Sequence, residues 1–313
     1  MDLSSFESVE LTDVGRKRLN NEDSCLRLPA LGIYCVADGM GGVMGGDIAS
    51  EAVTKTLQAV ATRLQPQAPA RLSNRVAVFK AAINQASKWI REFASQKVIR
   101  QMGTTVVALI FDPRNPSRAV ALHAGDSRLY RFQDGRLEQL TSDHTTAAVL
   151  AARLGCSQSS LPIGVQNELT RAVGLNDIVE LEDTFVTVHS GDLFLLCSDG
   201  LTRMVSDAII RELLTKGPEQ PMAALAESLV HRANDAGGKD NITVVLVRVG
   251  HISAAAQSEE DDDWKAAAAS DQLQAEAAAV PVGVGSYSGE AVDTPLTYEG
   301  ETPTTDDPTP DRI

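Results

Sequence analysis

The chain is poor in cysteine. Its four, Cys25, Cys35, Cys156 and Cys197, form no Cys-x-x-Cys pair and lie near no histidine at zinc-finger spacing, which argues against a structural zinc or a redox motif. Cys35 and Cys197 lie inside apolar runs and read as buried, reduced thiols, with a secondary liability to oxidation beside Asp38 and Asp199. No apolar stretch approaches the roughly 18 residues that span a bilayer. Met1 to Val14 also lacks the basic-then-apolar layout of a signal peptide, so the expectation is a cytoplasmic protein with no membrane partner. A basic excess is missing too. The formal net charge is -14, but 14 of the 42 acidic residues and only two of the 28 basic ones fall between His251 and Ile313. The 28 acidic and 26 basic residues before them make a nearly neutral unit without a basic patch, which disfavours nucleic-acid binding.

What is present divides the chain in two. Residues 1–250 carry regular hydrophobic periodicity, whereas 251–313 is acidic and rich in Ala, Thr and Pro, a composition that cannot bury enough apolar surface to offset its ordering entropy. The second segment is expected to be a disordered tail, with room for one short helix around Trp264 to Ala279. Within 1–250, Val53, Leu57, Val60 and Leu64 define one amphipathic helix, and Val76, Phe79, Ile83, Ala86, Ile90 and Phe93 define another. A further helical pair is predicted over 206–216 and 219–234, broken at Gly217-Pro218.

Residues 104–111, 119–123, 194–197 and 243–249 are apolar or small at both parities, so both faces of these strands must be covered. Asp126-Ser127-Arg128 and Gln133-Asp134-Gly135 read as hairpin turns. The fold class that follows is α+β, a four-layer αββα sandwich of two mainly antiparallel sheets flanked by helices. A doubly wound parallel sheet would alternate strand and helix, and the run of strands from Gly103 to Leu140 does not.

Three of the apolar runs are bounded by aspartate: Asp38 closes one in GIYCVADGMGG, Asp199 closes one in FLLCSDGL, and Asp240, before Asn241, opens one in GGKDNITVVLV. Taken singly, Asp-Gly after a strand is ordinarily a turn. Taken together, with Asp23 and Asp126 and five scattered histidines, they suit hard divalent cations, which take oxygen ligands and drive phosphate-ester hydrolysis from paired sites. A carboxylate after a buried run is costly unless a cation relieves it, and Gly39 could offer its carbonyl as a further ligand.

RLNNEDS (18–24), VADGMGG (36–42), MGTT (102–105), AGDSRLYR (124–131), LTSDHT (140–145), LLCSDGL (195–201) and GGKDNITVV (237–245) resemble, in order, the motifs of the metal-dependent protein phosphatases, the PPM or type 2C family, in its compact bacterial form. The resemblance implies a phosphoserine/phosphothreonine protein phosphatase using two Mn2+ or Mg2+ ions, with room for a third, weaker one, and attack by metal-bound hydroxide without a phosphoenzyme. It implies that Asp38 bridges the metals and that Gly39 adds a carbonyl to one of them. Asp199 and Asp240 would complete the other shell, the Glu22-Asp23 pair would act mainly through bound waters, and Asp126 would help hold the third ion. Arg18 would grip the substrate phosphate, since a guanidinium gives paired donors to phosphate oxygens, with Arg16 the lesser candidate. The implied partners are phosphorylated proteins, among them a Ser/Thr kinase and its substrates, and the implied state is a monomer.

Two positions depart from the family pattern. Met40 stands where animal members carry a histidine thought to protonate the leaving group, so water or another group must serve; His144 is a substitute by residue type, although an exposed loop histidine without that role is the plainer reading. The flap segment after Asp143 keeps NELTRAVG at 167–174, but its middle is short and unusual. In the tail, Thr304 lies three residues before Asp307, so phosphorylation there could make a docking peptide for a phosphothreonine-reading domain; a merely solubilising tail is the competing reading. The alternatives in function are a phosphatase-like pseudo-enzyme that binds phosphoproteins and a phosphatase of small metabolites.

Overall fold

Strands that are apolar on both faces need two covers, and the fold supplies them by stacking two sheets between helices. The computed structural model describes residues 6–41, 45–64, 71–99, 101–216 and 220–252, together with Val282. In chain order the first half holds β1 (Glu7–Asp13), β2 (Asp23–Leu28), β3 (Ile33–Met40), α1 (Gly46–Leu64), α2 (Leu72–Gln96), β4 (Gly103–Thr104), β5 (Val106–Phe111) and β6 (Arg118–Ala124). The second half holds β7 (Arg128–Gln133), β8 (Arg136–Gln139), α3 (Thr146–Leu154), α4 (Ile163–Gln166), β9 (Glu182–Thr187), β10 (Leu193–Cys197), α5 (Asp199–Thr202), α6 (Asp207–Thr215), α7 (Met222–Asp235) and β11 (Ile242–Arg248).

One sheet runs β1-β11-β10-β7-β8; the other runs β2-β3-β5-β6-β9, with β4 beside β3, and every pairing between strands is antiparallel. The two-residue strand period separates the cores. In β10, Phe194 and Leu196 face the other sheet, whereas Leu193, Leu195 and Cys197 face the cluster built with α6 and α7. In β3, Tyr34 and Val36 face between the sheets and Cys35 faces α1 and α2, so both inner thiols are buried as expected. Phe111 locks the layers together, meeting the rings of Phe6, Tyr34 and Phe194 edge-on at 5.0, 6.0 and 5.9 Å, contacts that add about 0.5–1.5 kcal/mol each to area burial.

The predicted sandwich is the observed one, and both helix pairs form. One turn needs correction. Asp126-Ser127-Arg128 is not a hairpin: β6 and β7 belong to different sheets, and this turn carries the chain across the sandwich. Within the flap segment Thr145 caps α3 through a 3.1 Å bond from the Ala148 amide, and Gly155 closes the helix in the left-handed conformation. The tail helix, the tail threonines and Gly217-Pro218 lie outside the described residues; Val282 packs against the cluster under α1 and α2.

Register places the chemistry at one end of the sandwich. Asp23 at the start of β2 pairs with Asp38 near the end of β3, and the end of β10 pairs with the start of β11, so Asp199 and Asp240 flank the same edge. The β6–β7 crossover brings Asp126 to it.

Candidate active site

Backbone contacts too close for a side chain shape this end. A Cβ on Gly39 would lie 2.1 Å from the Gly46 carbonyl oxygen and 2.5 Å from that of Glu22, and one on Gly200 would lie 1.9 Å from the Asn241 oxygen. Glycine after Asp38 and after Asp199 is therefore a packing requirement, which lets β3 and α5 approach their neighbours. Both threonines of the MGTT segment hold Asp38 in place. The Thr105 amide and the Thr104 hydroxyl donate to the Asp38 carbonyl at 2.8 and 2.9 Å, and the Asp38 amide donates to Thr105 Oγ1 at 3.0 Å. Thr105 Oγ1 also bonds Ser127 Oγ at 2.7 Å, which ties the Asp126 turn to the same frame.

Asn241 joins the N-terminal loop to β11. Its Nδ2 donates to the Val14 and Asn20 carbonyls, each at 2.9 Å, and its Oδ1 accepts from the Glu22 amide at 2.9 Å. That loop presents Arg18, whose Nη2 donates to Asp240 Oδ2 at 2.9 Å and whose Nη1 donates to Glu22 Oε2 at 3.3 Å. A cavity of about 730 Å³ opens here, with Arg18, Glu22, Asp38, Gly39, Asp126, Asp199, Arg203 and Asp240 on its wall and Ile99, Leu169 and Leu175 at its apolar side. Asp23 stands behind this wall, where its Oδ2 accepts from Ser198 Oγ at 2.8 Å.

The electrostatics fit a cation centre. Burial, and then the charges of Asp199, Asp23, Asp126 and Asp240, push the Asp38 carboxyl well above the usual range. Burial followed by Asp126 does the same to Asp199, whose Oδ1 is buried without a hydrogen-bond partner. Burial raises Asp23 to about 6 against Ser198 and Thr243, which favour its charged form, and burial also raises Glu22 and Asp126. So many converging carboxylates, one with an orphaned oxygen, form an oxygen-only donor set suited to hard divalent ions.

Comparison with known proteins decides the lineage. The family model described as Protein phosphatase 2C matches residues 15–246. The chain belongs to the protein phosphatase 2C family. It is 35% identical over 249 residues to the protein phosphatase PhpP of Streptococcus pneumoniae, covering 78% of this chain and 98% of that one. The fold is similar to that of the Mycobacterium tuberculosis serine/threonine phosphatase PstP/Ppp, at 32% identity and a TM-score of 0.67 over 79% of this chain and 99% of that one. It is also similar to a catalytic domain of PstP in complex with two manganese ions, at 30% identity and a TM-score of 0.66, covering 79% and 99% of the two chains.

In this phosphatase 2C domain the eight site residues named from sequence gather at one end of the sandwich, seven of them on the cavity wall and Asp23 behind it. Arg16 does not reach the cavity wall; its guanidinium lies 3.5 Å from Asp13. His144 is neither exposed nor at the cavity. It stacks on His123 with ring centroids 4.6 Å apart, its Nδ1 accepts from the Gly125 amide at 3.3 Å, and its Nε2 lies 3.1 Å from Glu182. Among the described residues, His123, His144 and Glu182 bring ligand atoms within 4.8 Å of one another, but the rings are only 12° from parallel. Two in-plane lone pairs in nearly parallel planes cannot meet at one ion, so this group is a packed structural pair. Several wall residues went unread in the sequence, among them Ile99, Gln101, Leu175 and the charged Arg203. For Arg203 the signal was the helical i,i+4 spacing from Asp199.

Proposed function

We propose that this chain is a metal-dependent protein serine/threonine phosphatase acting on phosphoserine and phosphothreonine of protein substrates. The observation that carries the reading is a buried carboxylate cradle with an anchored, half-exposed Arg18 at its mouth, in a chain of the phosphatase 2C family. Asp38 with the Gly39 carbonyl, and Asp199 with Asp240, are the residues that would hold two ions, Mn2+ or Mg2+, with Glu22 and Asp23 supporting them through water. Such ions, when bound, neutralise phosphate charge and make a shared water nucleophilic near neutral pH.

The chain's own residues supply the rest. Arg18 offers a planar pair of N–H donors to the phosphate oxygens, and its hold on Asp240 and Glu22 fixes where that phosphate sits. Ile99, Leu169 and Leu175 give the substrate segment an apolar rest. Met40 on the wall has no proton to give and His144 is packed elsewhere, so the leaving serine or threonine oxygen takes its proton from water. Phosphorylated proteins, including a Ser/Thr kinase and that kinase's substrates, are the partners this reading implies. No helix among the described residues is long and apolar enough to cross a membrane, which is compatible with action on cytoplasmic proteins.

The test is phosphate release from phosphothreonine and phosphoserine peptides and from sugar phosphates, each with Mn2+, Mg2+ or EDTA. Metal-dependent turnover of the peptides is expected. Turnover of sugar phosphates alone would move the assignment to metabolites, and no turnover of either would leave a binding module.

A further inference from the structure

We infer that Arg203 is a built-in cation of this centre, holding the Asp126–Asp199 pair in the place of a third divalent ion. The guanidinium contacts both carboxylates at once: Nη2 pairs with Asp199 Oδ2 and lies 3.3 Å from Asp126 Oδ2, while Nη1 lies 4.0 Å from Asp240 Oδ2. The placement is dictated locally. Arg203 closes α5, its amide bonded to the Asp199 carbonyl at 2.8 Å, so its side chain folds back one turn onto the carboxylate at the helix start. From there its Nη2 also reaches Asp126 across the cavity edge, the only other acidic group among the described residues within hydrogen-bond distance of it.

The resemblance gives Asp126 to a third, weaker ion, and the residues present do not fit that ion. A divalent cation and a guanidinium cannot both occupy the space between Asp126 Oδ2 and Asp199 Oδ2, because each needs the same lone pairs and the two repel, whereas Asp199 Oδ1 carries no hydrogen bond and is left for the dinuclear pair. The tethered cation has the advantage, since its position is already set by α5, whereas a free ion gives up its translational freedom on binding. Charge balance points the same way. Glu22, Asp23, Asp38, Asp126, Asp199 and Asp240 bring six negative charges, and Arg18, Arg203 and two divalent ions bring six positive ones.

The inference rests on the dinuclear reading above, and metal stoichiometry separates the two. The full chain is dialysed against graded Mn2+ and its bound metal measured by elemental analysis. The wild type is expected to saturate at two ions per chain, Arg203→Ala to gain a third and weaker equivalent, and the double variant Arg203→Ala/Asp126→Asn to return to two. A wild type that takes three ions, or an Arg203→Ala protein that stays at two, overturns the inference while the dinuclear site stands; a wild type that binds none overturns the dinuclear reading itself. Should Arg203→Ala not fold, Asp126→Asn in the wild-type background decides. Retention of two ions supports Arg203 as the partner of Asp126, and loss of one ion overturns it.

Discussion

Replacing Asp23 with asparagine should stabilise the metal-free protein while weakening its metal site. In the fold the Asp23 carboxyl titrates at about 6, against 3.8 for an unburied aspartate, because burial outweighs its bonds to Thr243 and Ser198. Between these values the folded chain keeps a proton that the unfolded chain has released. Stability from this group is therefore fully present below 3.8 and is lost as pH rises through about 6. At 1.36 kcal/mol per pKa unit, the ionised side chain costs about 3 kcal/mol above pH 7, and about 1 kcal/mol at pH 4.5. Asparagine keeps an acceptor for Ser198 Oγ and carries no charge, so in EDTA Asp23→Asn should exceed the wild type by amounts approaching these figures. Urea unfolding at pH 4.5 and 7.5 measures both. Saturating Mn2+ should narrow or reverse the gap, since about 2.7 kcal/mol accrues to a folded state at a ligand concentration 100 times its Kd. A variant no more stable than the wild type at pH 7.5 in EDTA would refute the argument that these carboxylates are held in the fold at a cost that metal relieves.

Arg18→Lys keeps the charge but loses the paired donors, so kcat/KM on a phosphothreonine peptide should fall by about 10- to 100-fold. Its unfolding midpoint should hardly move, because the side chain is 45% exposed. Asn241→Ala removes three bonds that tie the Arg18 loop to β11 and should cost about 3 kcal/mol in urea unfolding, with activity falling in step. Truncation after Ile252, which keeps that residue's contact with the inter-sheet core and removes only the contact of Val282 with the cluster under α1 and α2 among the described residues, should leave turnover of a small aryl phosphate nearly unchanged. A collapse of that turnover in a folded truncated protein would contradict the reading of the tail as an appendage.

The layers were legible because β5, β6, β10 and β11 are apolar at both parities, and such strands have few ways to hide two faces. The aspartates were legible because each sits where an apolar run begins or ends. What the strands could not reveal was register: that Asp23 lies opposite Asp38 follows from β2–β3 pairing, and no local pattern encodes that partner choice. The turn at Asp126 misled for a physical reason, since Asp-Ser-Arg turn chemistry serves a hairpin and a crossover between sheets equally well. His144 is buried because His123 lies beneath it, a contact between residues from different segments. Arg203 was hidden by its surroundings in another way: beside an apolar run an arginine reads as a solvated helix end, and only the assembled carboxylates show what it faces.

Asp38 is the residue on which the two-ion account turns, through its central place among the carboxylates and its fixed backbone. Bound Mn2+ and phosphate release from a phosphothreonine peptide should therefore be measured side by side for the wild type and Asp38→Asn, with circular dichroism to confirm the fold. The variant is expected to fold, to lose bound metal and to lose at least about 100-fold in rate, or about 2.7 kcal/mol of transition-state stabilisation. A folded Asp38→Asn protein with full metal content and wild-type turnover would contradict it.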